Sequence, residues 1–114
     1  MDYPERYEHI VELIGQLGRE APATVAAFNR LHGATQGAGA LSARTKELIA
    51  LAIGINVRCD GCLAYHVHDA VAAGASREEI IETIGVAIMM GGGPSVVYGV
   101  EALEALNQFQ PPAS

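Results

Sequence analysis

The stretch SARTKELIALAIGINVRCDGCLAYHVHDAVAAG, Ser42 to Gly74, holds two helices and the turn between them. Ser42 is a helix-capping residue type, because a short side-chain oxygen can accept a hydrogen bond from an otherwise unpaired first-turn amide. After it come Leu48, Ile49, Leu51, Ala52, Ile53 and Ile55. These are apolar on nearly every side of a helix running to about Val57, so that helix is expected at the centre of the molecule. Asp60 and Gly61 mark the turn region. A second helix then carries Ala64, Val67, Ala70 and Val71 to a stop at Gly74.

The flanking sequence repeats this grammar. Upstream, Tyr7, Ile10, Val11, Leu13, Ile14 and Leu17 recur at helical spacing among charged residues, predicting an amphipathic helix from Pro4 to about Leu17. Pro22 suits the first turn of another helix, with Val25, Ala26, Phe28 and Leu31 before Gly33 weakens it, and Gly37-Ala38-Gly39 then makes a flexible break. Downstream, Ser76-Arg77-Glu78-Glu79 reads as a capping box for a helix over Ile80 to about Met90, ended by Gly91-Gly92-Gly93. Pro94 opens a last helix to about Phe109, and Pro111 to Ser114 reads as a frayed tail. The expected fold is all-α, a compact six-helix bundle in one domain spanning 1–114.

Composition bounds the function. Apolar residues make up 50% of the chain, but only 5% are aromatic and there is no Trp. Ala, Leu, Ile and Val must therefore fill a thin core and leave apolar surface that favours self-association. Seven basic against thirteen acidic residues, a net charge of −6, repel phosphate backbones, so nucleic acid is an unexpected partner. The charged start, Met1-Asp2-Tyr3-Pro4-Glu5-Arg6, and the lack of a long apolar run predict a soluble cytoplasmic protein without a membrane span.

In that setting Cys59 and Cys62 point to redox or metal chemistry rather than a structural staple. At about 100° per helical residue, Cys62 lies about 300° from Cys59 and His66 returns to within about 20° of it, so all three share a stripe. His68 falls on the opposite face. The pair's spacing lets two sulfurs meet across one turn, and the helix N-terminus favours thiolate, most of all at Cys59. His66, four residues beyond Cys62, can take and return a proton near neutral pH. Glu47 is a carboxylate opening an apolar helix, a costly position unless it is exposed or has a polar partner.

The segment Leu41 to Tyr98, and above all the spacing Glu47, Cys59, Cys62, His66 followed by Ala70, Gly74, Ala75 and Glu78-Glu79-Ile80, resembles the alkylhydroperoxidase D family within the carboxymuconolactone decarboxylase superfamily. The resemblance implies a thiol-dependent peroxidase or disulfide oxidoreductase that assembles as homotrimers or homohexamers and uses no metal or organic cofactor. Its implied substrates are an organic hydroperoxide or small disulfide, with a dithiol or a redox partner protein as reductant. It further implies that Cys62 attacks the peroxide, that Cys59 resolves the sulfenic acid, and that His66 and Glu47 relay protons. One departure stands out: Gly61 occupies the position where the better-studied peroxidases carry a second histidine.

Two other readings compete with this one. Cys59, Cys62, His66 and Glu47 are a chemically possible zinc set, and the fold could serve as a non-catalytic oligomeric binding module. His9, His32 and His68 are read as surface or structural residues, and Tyr65 as packing.

Overall fold

The computed structural model describes residues 1–111 and shows six helices without a strand among them. They are α1 (Tyr3–Glu20), α2 (Pro22–Gln36), α3 (Ala43–Asn56), α4 (Asp60–Ala72), α5 (Arg77–Gly91) and α6 (Gly93–Phe109). Of the expected tail, 112–114 lie outside the described residues.

The caps sit where the residue types predict them. Ser42 Oγ accepts the Thr45 N–H at the head of α3. At α5 both halves of the capping box are formed: Ser76 Oγ accepts the Glu79 N–H, while the Ser76 N–H donates to Glu79. That backbone bond, aided by Arg44 nearby, holds the Glu79 carboxyl below its usual range. Gly74 turns the chain out of α4 at φ +91°, a conformation in which any β-carbon would be strained.

The core lies among α3, α4, α5 and α6, where Leu51, Ile55, Leu63, Val67, Ile80 and Leu106 are fully buried. α1 lies across α4 and α6, and α2 leans on α1 with only a light touch on α3.

α2 runs through Gly33, where one glycine costs only about 1 kcal/mol in a helix interior, and ends at Gln36 against the expected glycine break, with Gly37 as its C-cap. One expectation needs correction: α3 is not enclosed all round. Leu51, Gly54 and Ile55 are buried, but Ile49 and Ile53 remain exposed, Ile53 by 56%. With Val57, Val86, Met89, Met90 and Val97 they leave apolar side chains of α3, α5 and α6 in solvent in the single chain. No helix among the described residues is long and apolar enough to cross a membrane.

Candidate functional site

The turn from α3 into α4 builds the site. Arg58 sits at φ 58°, a left-handed conformation uncommon for a residue with a β-carbon, and it swings the chain so that Cys59 becomes the N-cap of α4. The Cys59 sulfur accepts the Cys62 N–H at 3.2 Å, and the two cysteines are joined by a disulfide. Both are half-buried. In this state neither sulfur is a thiolate, and a metal site of the Cys59, Cys62, His66, Glu47 type would require reduction first.

A glycine on α3 lets α4 come this close. A β-carbon on Gly54 would stand 3.2 Å from Cys62 Cβ and 3.7 Å from His66 Cδ2. The same clearance places Cys62 and His66 side by side over one point of α3, as their spacing of four predicts. His68 points elsewhere: its ring stacks on Tyr7 of α1 at 3.8 Å between centroids, and its Nδ1 lies 2.9 Å from Asp69 Oδ1.

Glu47 reaches this face from the first turns of α3. It is only 8% exposed. One carboxylate oxygen accepts from Gln36 Nε2 of α2 at 3.0 Å. The other lies 3.9 Å from His66 Nδ1, within Coulombic range but longer than a hydrogen bond. Both of those atoms are buried without a hydrogen-bond partner. A buried unpaired donor and acceptor facing each other are costly, so the pair gains from any movement that closes the gap.

Several contributors escape a reading along the chain. Gln36 orients Glu47 from another helix. His32 of α2 and Asp69 of α4 bring ligand-type atoms within 4.8 Å of each other and of Glu47. Tyr65 lies beside the disulfide, and its hydroxyl is raised above the usual phenol range by burial first, then by Asp69 and Glu47. Helical periodicity gives Tyr65 and Asp69 as neighbours on α4 but signals none of the pairings of Gln36, His32 or Glu47, because each of those joins two helices.

Above the disulfide lies a cavity of about 670 Å³, with Cys59, Cys62, Tyr65 and His66 on one side and α1 and α2 opposite. Its far wall is mainly apolar: Ile10, Ile14 and Leu17 from α1, Val25 and Phe28 from α2. Gly61 faces this wall. A β-carbon there would come 3.1 Å from Ile10 Cδ1 and 4.0 Å from the Arg6 guanidinium. In this chain, then, α1 occupies the ground that a histidine at 61 would need.

The carboxymuconolactone decarboxylase family profile matches residues 22–105, all of the bundle except α1 and the last turn of α6. The chain belongs to the carboxymuconolactone decarboxylase family. Within it, the cysteine pair and its spacing to Glu47 and His66 are those of an alkylhydroperoxidase D-like member. An uncharacterised protein of Cupriavidus necator is 38% identical over 93% of this chain and 96% of its own length. A second, from Haemophilus influenzae, is 36% identical over 93% and 94%. Among solved structures, a carboxymuconolactone decarboxylase family protein from Legionella pneumophila superposes with a TM-score of 0.90 at 39% identity, covering 94% of this chain and 96% of that one. Another family protein, from Thermotoga maritima, has had a part in the antioxidative response suggested for it. It superposes with a TM-score of 0.81 at 31% identity, over 93% and 90%.

Proposed function

We propose that this family member is a thiol-dependent peroxidase in which Cys59 and Cys62 cycle between dithiol and disulfide. The observation that carries this reading is the disulfide itself, lining an apolar cavity with His66 beside Cys62 and the buried Glu47 behind His66.

Starting from the dithiol, His66 takes the Cys62 proton and the thiolate attacks the distal oxygen of a hydroperoxide. The O–O bond breaks, the sulfur becomes a sulfenic acid, and the alkoxide leaves with the proton returned by His66, giving an alcohol. Cys59 then condenses with that sulfenic acid, forming the disulfide and releasing water. An external dithiol restores both thiols by exchange. Glu47 stabilises the imidazolium while it exists, and Gln36 holds Glu47 in place.

Electrostatics and position divide the two sulfurs. Cys59 caps the helix and gains most from the dipole, which suits it to stay reactive as the resolving thiol. Cys62 has His66 across the Gly54 clearance, which suits it to attack first. The antioxidative role suggested for the Thermotoga relative agrees with a peroxidase reading.

The test is steady-state consumption of cumene hydroperoxide with excess dithiol in chelator-treated buffer, for the parent, Cys62→Ser and Cys59→Ser. Turnover by the parent and none by Cys62→Ser is expected, and Cys59→Ser given peroxide after the dithiol is removed should accumulate a dimedone-trappable sulfenic acid on Cys62. A parent that leaves the peroxide intact, or a trapped adduct on Cys59 in Cys62→Ser, contradicts the assignment. The exposed apolar side chains of α3, α5 and α6 further support self-association, as a trimer or hexamer. Light scattering of Val97→Asp against the parent reads this directly, a smaller particle for the variant being expected.

A further inference from the structure

The cavity wall contributed by α1 has a polarity that peroxide chemistry alone does not use. Arg6, Ile10, Ile14 and Leu17 follow one another at intervals of four, four and three residues, so they form a single stripe along α1. Eleven residues at about 1.5 Å each make that stripe roughly 16 Å long. It carries one guanidinium at the end beside Gly61 and only apolar side chains beyond it, with Val25 and Phe28 of α2 facing them.

Among the described residues no carboxylate lies within ion-pair distance of Arg6, and its Nε is buried without a hydrogen-bond partner. With its Nε shielded and the side chain half-buried, this guanidinium is open to a ligand, and it is the side chain best suited to a carboxylate, which it can hold through two parallel hydrogen bonds. The chain as a whole carries a net charge of −6. Its general field therefore repels anions, and a dedicated cation is what an anionic substrate would need.

We infer that the substrate is an amphipathic monocarboxylate hydroperoxide, a fatty-acid hydroperoxide, bound with its carboxylate on Arg6 and its hydrocarbon chain along Ile10, Ile14 and Leu17. This rests on the peroxidase reading above. The sulfur pair flanks Gly61, over which Arg6 and Ile10 both lie, so the hydroperoxide that meets the sulfurs is one carried close to the carboxylate. The reaction is the one already balanced: the hydroperoxide becomes the hydroxy acid, the dithiol becomes the disulfide and water is released. The cavity, about 670 Å³, lies within the roughly 300–1,000 Å³ usual for small-molecule sites.

Binding is tested separately from chemistry. Calorimetric titration of the disulfide form with decanoate and with decanol compares an anionic with a neutral head on one chain. Decanoate is expected to bind roughly tenfold to a hundredfold more tightly, the range of a charge-assisted hydrogen-bonded pair. Arg6→Gln should erase that ratio, and Arg6→Lys should keep part of it. In turnover, a fatty acid with its hydroperoxide on a carbon near the carboxylate should exceed its methyl ester in kcat/KM for the parent, and the preference should vanish in Arg6→Gln. Equal affinity for the two heads, a ratio unmoved by Arg6→Gln, or equal kcat/KM for acid and ester overturns the inference. Failure of cumene hydroperoxide turnover would instead sink the peroxidase reading, and the decanoate titration would still report on Arg6.

Discussion

The four-helix core and the α1–α2 layer are built on opposite terms. In α3 to α6 six large side chains are fully buried, and glycine clearances such as Gly54 bring helices into direct contact. α2, by contrast, buries no residue at all, and Phe28 at 63% exposed projects from it. The core holds the disulfide and His66 side by side against Gly54. The outer layer trades packing for a cavity, and an incompletely packed wall is what lets a ligand reach the sulfurs.

If that division is right, equivalent truncations should differ widely. Leu51→Ala, in the core, should cost about 2–5 kcal/mol, whereas Phe28→Ala should cost less than about 0.5 kcal/mol, both read by urea denaturation. Comparable losses would erase the contrast. Within the site, His66→Gln should lower kcat/KM for hydroperoxide roughly a hundredfold or more, as removal of a general base does. His68→Gln, stacked on Tyr7 away from the sulfurs, should lower it far less. A next-smaller effect is expected at Gly54→Ala, where the new methyl meets Cys62 Cβ at 3.2 Å. It should cost about 1–3 kcal/mol and alter the rate at which dithiothreitol opens the disulfide.

Much of this was legible along the chain. The stripe of Cys59, Cys62 and His66 follows from one helix's own period, and the caps at Ser42 and Ser76 are local hydrogen-bond chemistry. The six helices follow from the same local signals. What could not be read is whatever joins two helices: Gln36 on Glu47, Asp69 and His32 near the same carboxylate, and Arg6 and Ile10 over Gly61. Periodicity gives a residue's face but not which helix meets it. The enclosure of α3 was over-read for the same reason, since an apolar surface can await a neighbouring chain as readily as a neighbouring helix.

Two smaller effects sharpen the picture at the edges of the core. Arg58→Gly should stabilise the fold by about 0.5–1 kcal/mol, because glycine adopts the left-handed conformation at φ 58° without steric cost and repays only part of that gain as chain entropy. Tyr3, buried at the start of α1 and near Glu101 and Glu104, has its hydroxyl pushed up to about 12, by burial first and those carboxylates second. The unfolded chain loses that proton near pH 10 while the folded one keeps it. The contribution is therefore intact below about pH 10 and lost as pH rises towards 12. Tyr3→Phe should flatten that alkaline fall in denaturation midpoint, and an unchanged slope would remove Tyr3 as its source.

The central claim is tested most directly by a single turnover without reductant. Fully reduced protein is mixed with one equivalent of cumene hydroperoxide, and residual peroxide and free thiols are counted together. The account predicts that two thiols disappear for each peroxide consumed, with the Cys59–Cys62 disulfide as the protein product. Thiols that stay reduced while the peroxide persists, or peroxide that is consumed without loss of thiol, would contradict it.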